Sequence, residues 1–329
     1  KYLRSLSSRM LLETSVNFSR RTNNEVWPSS GDKDWAAETG FYGATTNPLA
    51  AGPPNVSITG YATIGAVNGI PKIWSYENRQ ATAALSYVRG KHTWKLGADL
   101  LRYDYLNDSW ADTRGRAVFQ QTWTGHPVAD FMLGYLQSSR RSLSPNGPHD
   151  RVTNFSAYIQ DDFKPFTSLT LNLGLRYDLF NQPVETRGAM ANFLPSLGKV
   201  VAAGYGAMSQ TDFTNQITGV GLAPYVVMAP DVGLPNSIVK TDKTNFAPRL
   251  GFAWRMFNST KMVLRGGYGI FYGTDSLYRM DDYSQVFPYA ITQTFSRVSS
   301  DPTVLTLSTP FPASRAAAVG VTSTYAARP

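Results

Sequence analysis

The chain has 329 residues, of which 42% are hydrophobic and 16% charged, with no cysteine and a formal net charge of +8. The lack of cysteine excludes disulfides, thiolate metal sites and a cysteine nucleophile. The sequence contains no apolar run of about eighteen residues, so it predicts no membrane-spanning helix. The basic residues are dispersed rather than clustered, so we expect no nucleic-acid partner.

The first predicted strand covers residues 10–21, where apolar and polar side chains alternate. A long stretch rich in Gly, Pro and Asn follows, to about Tyr76. It contains one short alternating segment, residues 55–65. Alternation with a period of two is the signature of a strand with one apolar face.

Three segments then repeat one form, in which two alternating strands joined by a short turn are followed by a long loop. They are residues 81–105, 152–180 and 246–272. Their strands run to about ten residues, the length that a tilted strand needs to cross a bilayer, whereas strands of soluble proteins average five or six. Outer-membrane barrels also place short turns on one side and long loops on the other. This parity requires residues 55–65 to lie in an external loop.

The alternation assigns the side chains of these strands to two faces. The predicted lipid-facing residues are Trp94, Leu96, Leu100, Leu169, Leu171, Leu173 and Leu175. The predicted lumen-facing residues are Lys95, Asp99, Arg176, Asp178, Arg249 and Arg265. These charges either pair with one another to support a barrel wall or contact a plug or a passing ligand.

The long loops contain three further predicted features. Residues 126–136 predict a helix with Pro127 at its first position, and its apolar side chains Val128, Phe131, Met132 and Tyr135 are expected on one face. Residues 287–296 predict a short strand. Four loop aromatics are candidate ligand contacts: Trp110, Trp123, Tyr278 and Tyr283.

No motif predicts an enzyme, a cofactor site or a metal site. The neighbouring carboxylates Asp161 and Asp162 point to opposite sides of a strand, so they cannot act together as acid and base. We expect them to have a structural role at a strand end and to pair with Arg176 or Arg249. The three histidines lack metal-ligand spacing, and a solvated side chain is expected for His92.

Five segments carry a resemblance to a known family. GKHTWKLGADL, HPVADFMLGY, YIQDDFKPFTSLTLNLGLRYD, NFAPRLGFAW and KMVLRGGYGIFY, in this order, resemble the β-barrel region of TonB-dependent outer-membrane receptors. They are most similar to the Oar-like branch, which often carries an N-terminal carboxypeptidase-regulatory-like domain. The resemblance covers residues 10–289 and leaves the loops unmatched.

This resemblance implies a 22-stranded barrel in the bacterial outer membrane, closed by the protein's own plug domain. It implies contact with outer-membrane lipid, ligand capture at the outer loops and uptake energised by the TonB–ExbB–ExbD complex. We find no plug, signal peptide, TonB box or terminal barrel strand in the sequence. We therefore expect residues 1–329 to be all-β, a partial antiparallel transmembrane β-barrel from within a longer protein, with long extracellular loops and one short helix.

Two alternatives stay open at this point. One is a structural or adhesive outer-membrane barrel without active uptake. The other is a soluble β-rich carbohydrate-active protein, which would need carboxylates on one face or an aromatic platform in a cleft. The ligand is equally open among siderophores, glycans, peptides and secreted proteins.

Overall fold

The computed structural model describes most of the chain. The described residues are 1–26, 33–45, 51–65, 70, 72–109, 112–143, 147–258, 261–274, 281–284, 286–299, 304–314 and 317–321. Within these ranges the chain is mostly β-strand with a few short helices, and its strands form one large sheet and two small ones.

The strands are numbered in chain order. They are β1 Tyr2–Ser7, β2 Met10–Glu25, β3 Asn55–Ile58, β4 Lys72–Arg89, β5 His92–Ser109, β6 Arg116–Phe119, β7 Ser138–Ser142, β8 His149–Phe166, β9 Leu169–Leu179, β10 Val184–Glu185, β11 Ala191–Leu194, β12 Lys199–Ala202, β13 Val226–Met228, β14 Phe246–Arg255, β15 Val263–Gly269, β16 Ile291–Ser296 and β17 Ala318–Val321. The helices are α1 Trp35–Thr39, α2 Pro127–Leu133, α3 Gln210–Gly219 and α4 Asp281–Ser284.

The large sheet has the order β1-β2-β4-β5-β8-β9-β14-β15, and every neighbouring pair on this path is antiparallel. The short strand β10 pairs with β8 where β9 has ended. In the described part of the chain the sheet is open, with β1 and β15 at its edges. The expected all-β chain with a large antiparallel sheet is therefore confirmed.

The connections alternate between short and long, as the sequence predicts. Two-residue turns join β1 to β2, β4 to β5 and β8 to β9, and the segment 256–262 joins β14 to β15. The long connections 26–71, 110–148 and 180–245 lie at the opposite end of the sheet. The predicted parity is confirmed, because β3 pairs with β6 outside the large sheet.

Strand β1 is missing from the sequence prediction, which starts the first strand at Met10. Leu3 and Leu6 are three positions apart, so they fall on opposite faces and break the expected alternation. The register with β2 shifts between Ser5 and Ser7, and such an irregularity hides a strand from a period-two search.

The long connections fold into small sheets of their own. One has the order β17-β16-β7-β6-β3, and the other has the order β11-β12-β13. The strand predicted within residues 287–296 is β16, so it is confirmed.

The expectation of one short helix is wrong, since four short helices lie in the described ranges. Helix α3 begins after Ser209, whose hydroxyl accepts from the backbone N–H of Asp212. Phe213 and Ile217 lie one turn apart in α3, and both side chains are buried.

The hydrophobic cores lie in the loop region rather than on the large sheet. One cluster joins Phe41, Phe119, Leu136, Phe295 and Leu305, which come from distant parts of the chain. The large sheet shows the reverse: Leu100 is 48% exposed, Leu175 45% and Leu250 55%. A soluble protein buries such side chains, whereas a contiguous exposed apolar surface marks contact with another phase or partner.

Helix α2 occupies most of the predicted range and has Pro127 in its first turn. Val128 and Phe131 pack against the cluster around Phe119, as expected for one apolar face. Met132 is 80% exposed, so its assignment to that face is wrong. No helix in the described ranges is long and apolar enough to span a membrane.

The fully buried Asp130 of α2 holds the preceding loop. One carboxylate oxygen accepts from the backbone N–H of Thr122 at 2.9 Å and of Trp123 at 3.0 Å. The other accepts from the N–H of Thr124 at 2.8 Å and from its hydroxyl at 2.7 Å. Burial raises the pKa of Asp130, but these hydrogen bonds outweigh it and hold the pKa below its usual value.

We predict that Asp130→Asn destabilises this loop by about 2–4 kcal/mol, because the amide turns one acceptor into a donor that faces N–H donors. The depressed pKa means that the stabilisation by Asp130 is present above the unfolded pKa of about 4 and is lost as the pH falls through the folded value. Amide hydrogen exchange of residues 122–136 measures both effects. Equal protection in Asp130→Asn and wild type would contradict the assignment.

Candidate functional site: the polar face of the large sheet

The register of the large sheet places all six predicted lumen-facing charges on one side, here called the polar face. Across the sheet, Lys95 lies opposite Gln160, Gln160 opposite Gly174, and Gly174 opposite Arg249. Paired residues of antiparallel strands share a face. Asp99, Arg176, Asp178 and Arg265 fall in the same alternation.

The other side, here called the apolar face, carries the seven predicted lipid-facing residues. One row runs through Leu96, Ile159 and Leu175, and the next runs through Trp94, Asp161 and Leu173. Leu100, Leu169 and Leu171 lie on the same side. The two sets are thus separated by the sheet. Which face meets lipid and which meets a lumen stays a prediction here.

Part of the polar face is a set of hydrogen-bonded side chains. Asp178 is buried and accepts from the hydroxyl of Ser156 at 2.7 Å and from Nε of Arg176 at 2.8 Å. Asp99 accepts from the side-chain amide of Gln80 at 2.6 Å. These contacts cross between strands or link residues on one strand. They give Arg176, Asp178 and Asp99 a role in supporting the wall.

Arg249 has a different environment. Its guanidinium carbon lies 4.6 Å from the centre of the Phe271 ring, and among the described residues it forms no ion pair. It borders a cavity of about 430 Å³. The residues that line this cavity are Gln160, Asn172, Leu173, Gly174, Arg249, Leu250, Gly251, Gly267, Tyr268, Gly269 and Phe271.

The cavity, here called the glycine notch, has a floor made of backbone. Gly174, Gly251 and Gly267 present no side chain, and a Cβ at Gly267 would lie 3.3 Å from the carbonyl oxygen of Leu250. Glycines inside strands allow another backbone or a ligand to approach closely. With one cation at its border, the notch suits an acceptor-rich or anionic group, and it contains no nucleophile with a neighbouring base.

The carboxylates Asp161 and Asp162 lie on opposite faces, as the sequence predicts. Asp161 forms a hydrogen bond of 2.6 Å with Nδ1 of His92. Asp162 accepts from Asn172 at 2.6 Å and from Gln160 at 3.1 Å. The expected pairing with Arg176 or Arg249 is therefore wrong. Arg176 binds Asp178 instead, and Asp161 lies on the apolar face, away from both arginines.

The side chain of His92 is 38% exposed, but it also has partners that the sequence does not predict. Its ring stacks on Phe163 with centroids 4.3 Å apart and on Trp94 at 5.7 Å. Asp161 is only 5% exposed, and its Oδ1 atom has no hydrogen-bond partner in the described structure. The sequence signal for this cluster was weak, because it depends on the register between β5 and β8.

The loop aromatics have internal partners. The indole N–H of Trp123 donates to the carbonyl of Leu136 at 3.2 Å, and the guanidinium of Arg297 lies 4.6 Å from its ring centre. Tyr283 packs against the buried cluster that includes Met190 and Ile238. Trp110 and Tyr278 lie outside the described residues. In the described ranges no three His, Asp or Glu side chains are placed to hold a metal ion.

The entire chain, residues 1–329, matches the family model described as outer membrane beta barrel domain. The chain belongs to this family. No curated protein matches it. Membership places this β-barrel protein in the bacterial outer membrane. It agrees with the open antiparallel sheet and leaves no support for the soluble carbohydrate-active alternative.

For this outer-membrane barrel, we predict that Leu175→Arg on the apolar face costs about 2–4 kcal/mol of folding free energy in a bilayer, the range for a cation near the midplane. We choose Leu175 rather than Leu173, because an arginine at position 173 would lie opposite Asp161 and form an ion pair with it. The matched control is Asn172→Arg on the polar face of the same strand, with a much smaller expected cost. Equal costs in a bilayer folding titration would contradict the assignment of the faces.

Proposed function

We propose that the chain forms part of the barrel wall of a TonB-dependent, Oar-like receptor, which binds a substrate at the cell surface and imports it with energy from the TonB–ExbB–ExbD complex. In this proposal the apolar face contacts outer-membrane lipid and the polar face lines the lumen. Family membership supports the barrel, and the ordered motifs of β5, α2, β8, β9, β14 and β15 support the receptor.

The observation that carries the proposal is the glycine notch beside Arg249. A lumen wall that only conducts water has no need of a backbone floor, whereas a plug domain has to pack closely against the wall. Gly174, Gly251 and Gly267 permit this approach. Arg249 offers a cation without an ionic partner in the described structure.

The loop region supports the binding step. Long connections that carry their own sheets and buried clusters form a structured surface at one end of the strands. Binding residues are commonly presented on such loops over a rigid scaffold. The ligand class stays open among siderophores, glycans, peptides and proteins.

We propose binding and transport without covalent chemistry. The closest pair of carboxylates in sequence, Asp161 and Asp162, lies on opposite faces of the sheet. Each is held by its own neighbours, His92 for the first and Asn172 for the second. Neither is placed to share a substrate with the other.

The test is binding of the purified periplasmic domain of TonB to the full gene product in detergent, measured by surface plasmon resonance. We expect a dissociation constant in the micromolar range or tighter, about −8 kcal/mol. A porin from the same membrane is the control and should not bind. The absence of binding by the full gene product would contradict active uptake and favour a structural or adhesive barrel.

A further inference from the structure

The apolar face changes character at the end of the sheet that leads into the long loops. The last apolar row consists of Val16, Ala81, Leu100, Phe155 and Leu179. Its large side chains are exposed: Val16 by 79%, Leu100 by 48% and Phe155 by 39%. Most residues in the next two rows of the same face are charged, although the first of these rows also contains Phe18 and Thr153.

These charged residues form what we call the arginine rim: Arg79, Arg102, Arg151, Glu77 and Asp104. Arg79 lies opposite Arg102, and Asp104 lies opposite both Glu77 and Arg151. They share the alternation of Leu100 and Phe155 and therefore the same face. The rim is a continuation of the apolar face, outside the barrel wall if that face meets lipid.

Asp104 orients the arginines of the rim. Its carboxylate accepts from Nε of Arg102 at 3.0 Å and from Nε of Arg151 at 2.5 Å. Arg79 lies 3.8 Å from the same carboxylate and also pairs with Glu77. In the described structure the terminal nitrogens of Arg102 and Arg151 make no other hydrogen bond. Each therefore keeps terminal donors for a further acceptor.

The rim has an excess of positive charge and remains open to its surroundings. Arg20 lies opposite Glu77, next to the rim, and is exposed. Together with the three arginines of the rim it gives four guanidinium groups against the two carboxylates of Glu77 and Asp104. The side chain of Arg79 is 52% exposed, that of Arg102 36% and that of Arg151 40%, whereas that of Asp104 is 10% exposed. The cations thus face outward over a buried carboxylate that fixes their positions.

The height of the rim matches the level of lipid head groups. From Phe163 near the short turn to Phe155 in the last apolar row, β8 advances roughly 27 Å, or about 20 Å along the membrane normal at a tilt of about 40°. This approaches the apolar band of about 25 Å that outer-membrane barrels present to lipid. The first charged row above the band therefore lies where head-group phosphates lie.

We propose that the arginine rim binds a phosphate group of an outer-leaflet glycolipid, while its acyl chains lie along Val16, Leu100 and Phe155. Guanidinium groups bind phosphate oxygens in pairs of charge-assisted hydrogen bonds, and Asp104 holds Arg102 and Arg151 ready for this. The proposal rests on the assignment of the apolar face to lipid made under the proposed function. It does not depend on TonB.

The experiment measures binding of bisphosphorylated lipid A to the full gene product in detergent by thermophoresis, with dephosphorylated lipid A in a parallel series. We expect the wild type to prefer the phosphorylated lipid at least tenfold. The double variant Arg102→Gln/Arg151→Gln should bind the phosphorylated lipid roughly ten- to a hundredfold more weakly. The matched control Arg89→Gln, on the same face at the short-turn end, should bind like the wild type.

Three results would overturn the proposal. The wild type would bind both lipids equally, the double variant would bind as tightly as the wild type, or excess inorganic phosphate would displace the lipid and so reveal a free-phosphate site. The heat-dependent gel mobility of each variant reports whether the barrel folds. If the double variant does not fold, Arg102→Lys takes its place, and an unchanged affinity there would overturn the proposal as well.

The outcomes separate this proposal from the proposed function. Loss of lipid selectivity with intact TonB binding would refute the rim alone. Selective lipid binding without TonB binding would refute uptake alone. A folding cost of Leu175→Arg equal to that of Asn172→Arg would remove the assignment of the faces, on which the rim depends.

Discussion

The antiparallel register of the large sheet is the constraint on which the rest of the structure depends. Because paired residues share a face, a register shift of one residue would move the leucines of β9 to the polar face, and Arg176 and Asp178 to the apolar face. The observed register instead continues each row across β5, β8, β9 and β14. It produces an exposed apolar surface on one side and a surface of charges, amides and glycines on the other. The exposed apolar surface is unfavourable in water, whereas contact with a lipid phase is favourable for it.

The same constraint explains why polar clusters occur where they do. Inside the apolar rows, the buried Asp161 is hydrogen-bonded to His92, whose ring stacks on Phe163 and Trp94. At the other end, the arginines around Asp104 are exposed and in excess over acids. At both ends of this face, the polar groups are thus held by partners on neighbouring strands.

Strict alternation made most of the large sheet predictable from the sequence. The three hairpins, the external position of residues 55–65, helix α2 and the strand β16 follow from period, length and proline placement. Strand β1 does not, because its leucines fall out of phase across a register shift. The partners of Asp161 and Arg249 also escape prediction, since they depend on which strands are neighbours and on register. One loop sheet pairs β7 with β16, which lie more than a hundred residues apart, and no local pattern encodes such pairing.

The central claim is that the apolar face meets lipid and the polar face does not. Residues 1–329 contain no cysteine, so once any cysteine elsewhere in the full gene product is replaced by serine, single cysteines at the adjacent positions Leu100 and Asp99 can each carry a nitroxide label in bilayers. Collision with oxygen, which concentrates in lipid, and with a water-soluble nickel chelate is then measured by electron paramagnetic resonance. The account predicts high oxygen and low nickel accessibility at position 100, with oxygen accessibility lower at position 99. The same accessibility at both positions, or the reverse order, would contradict it.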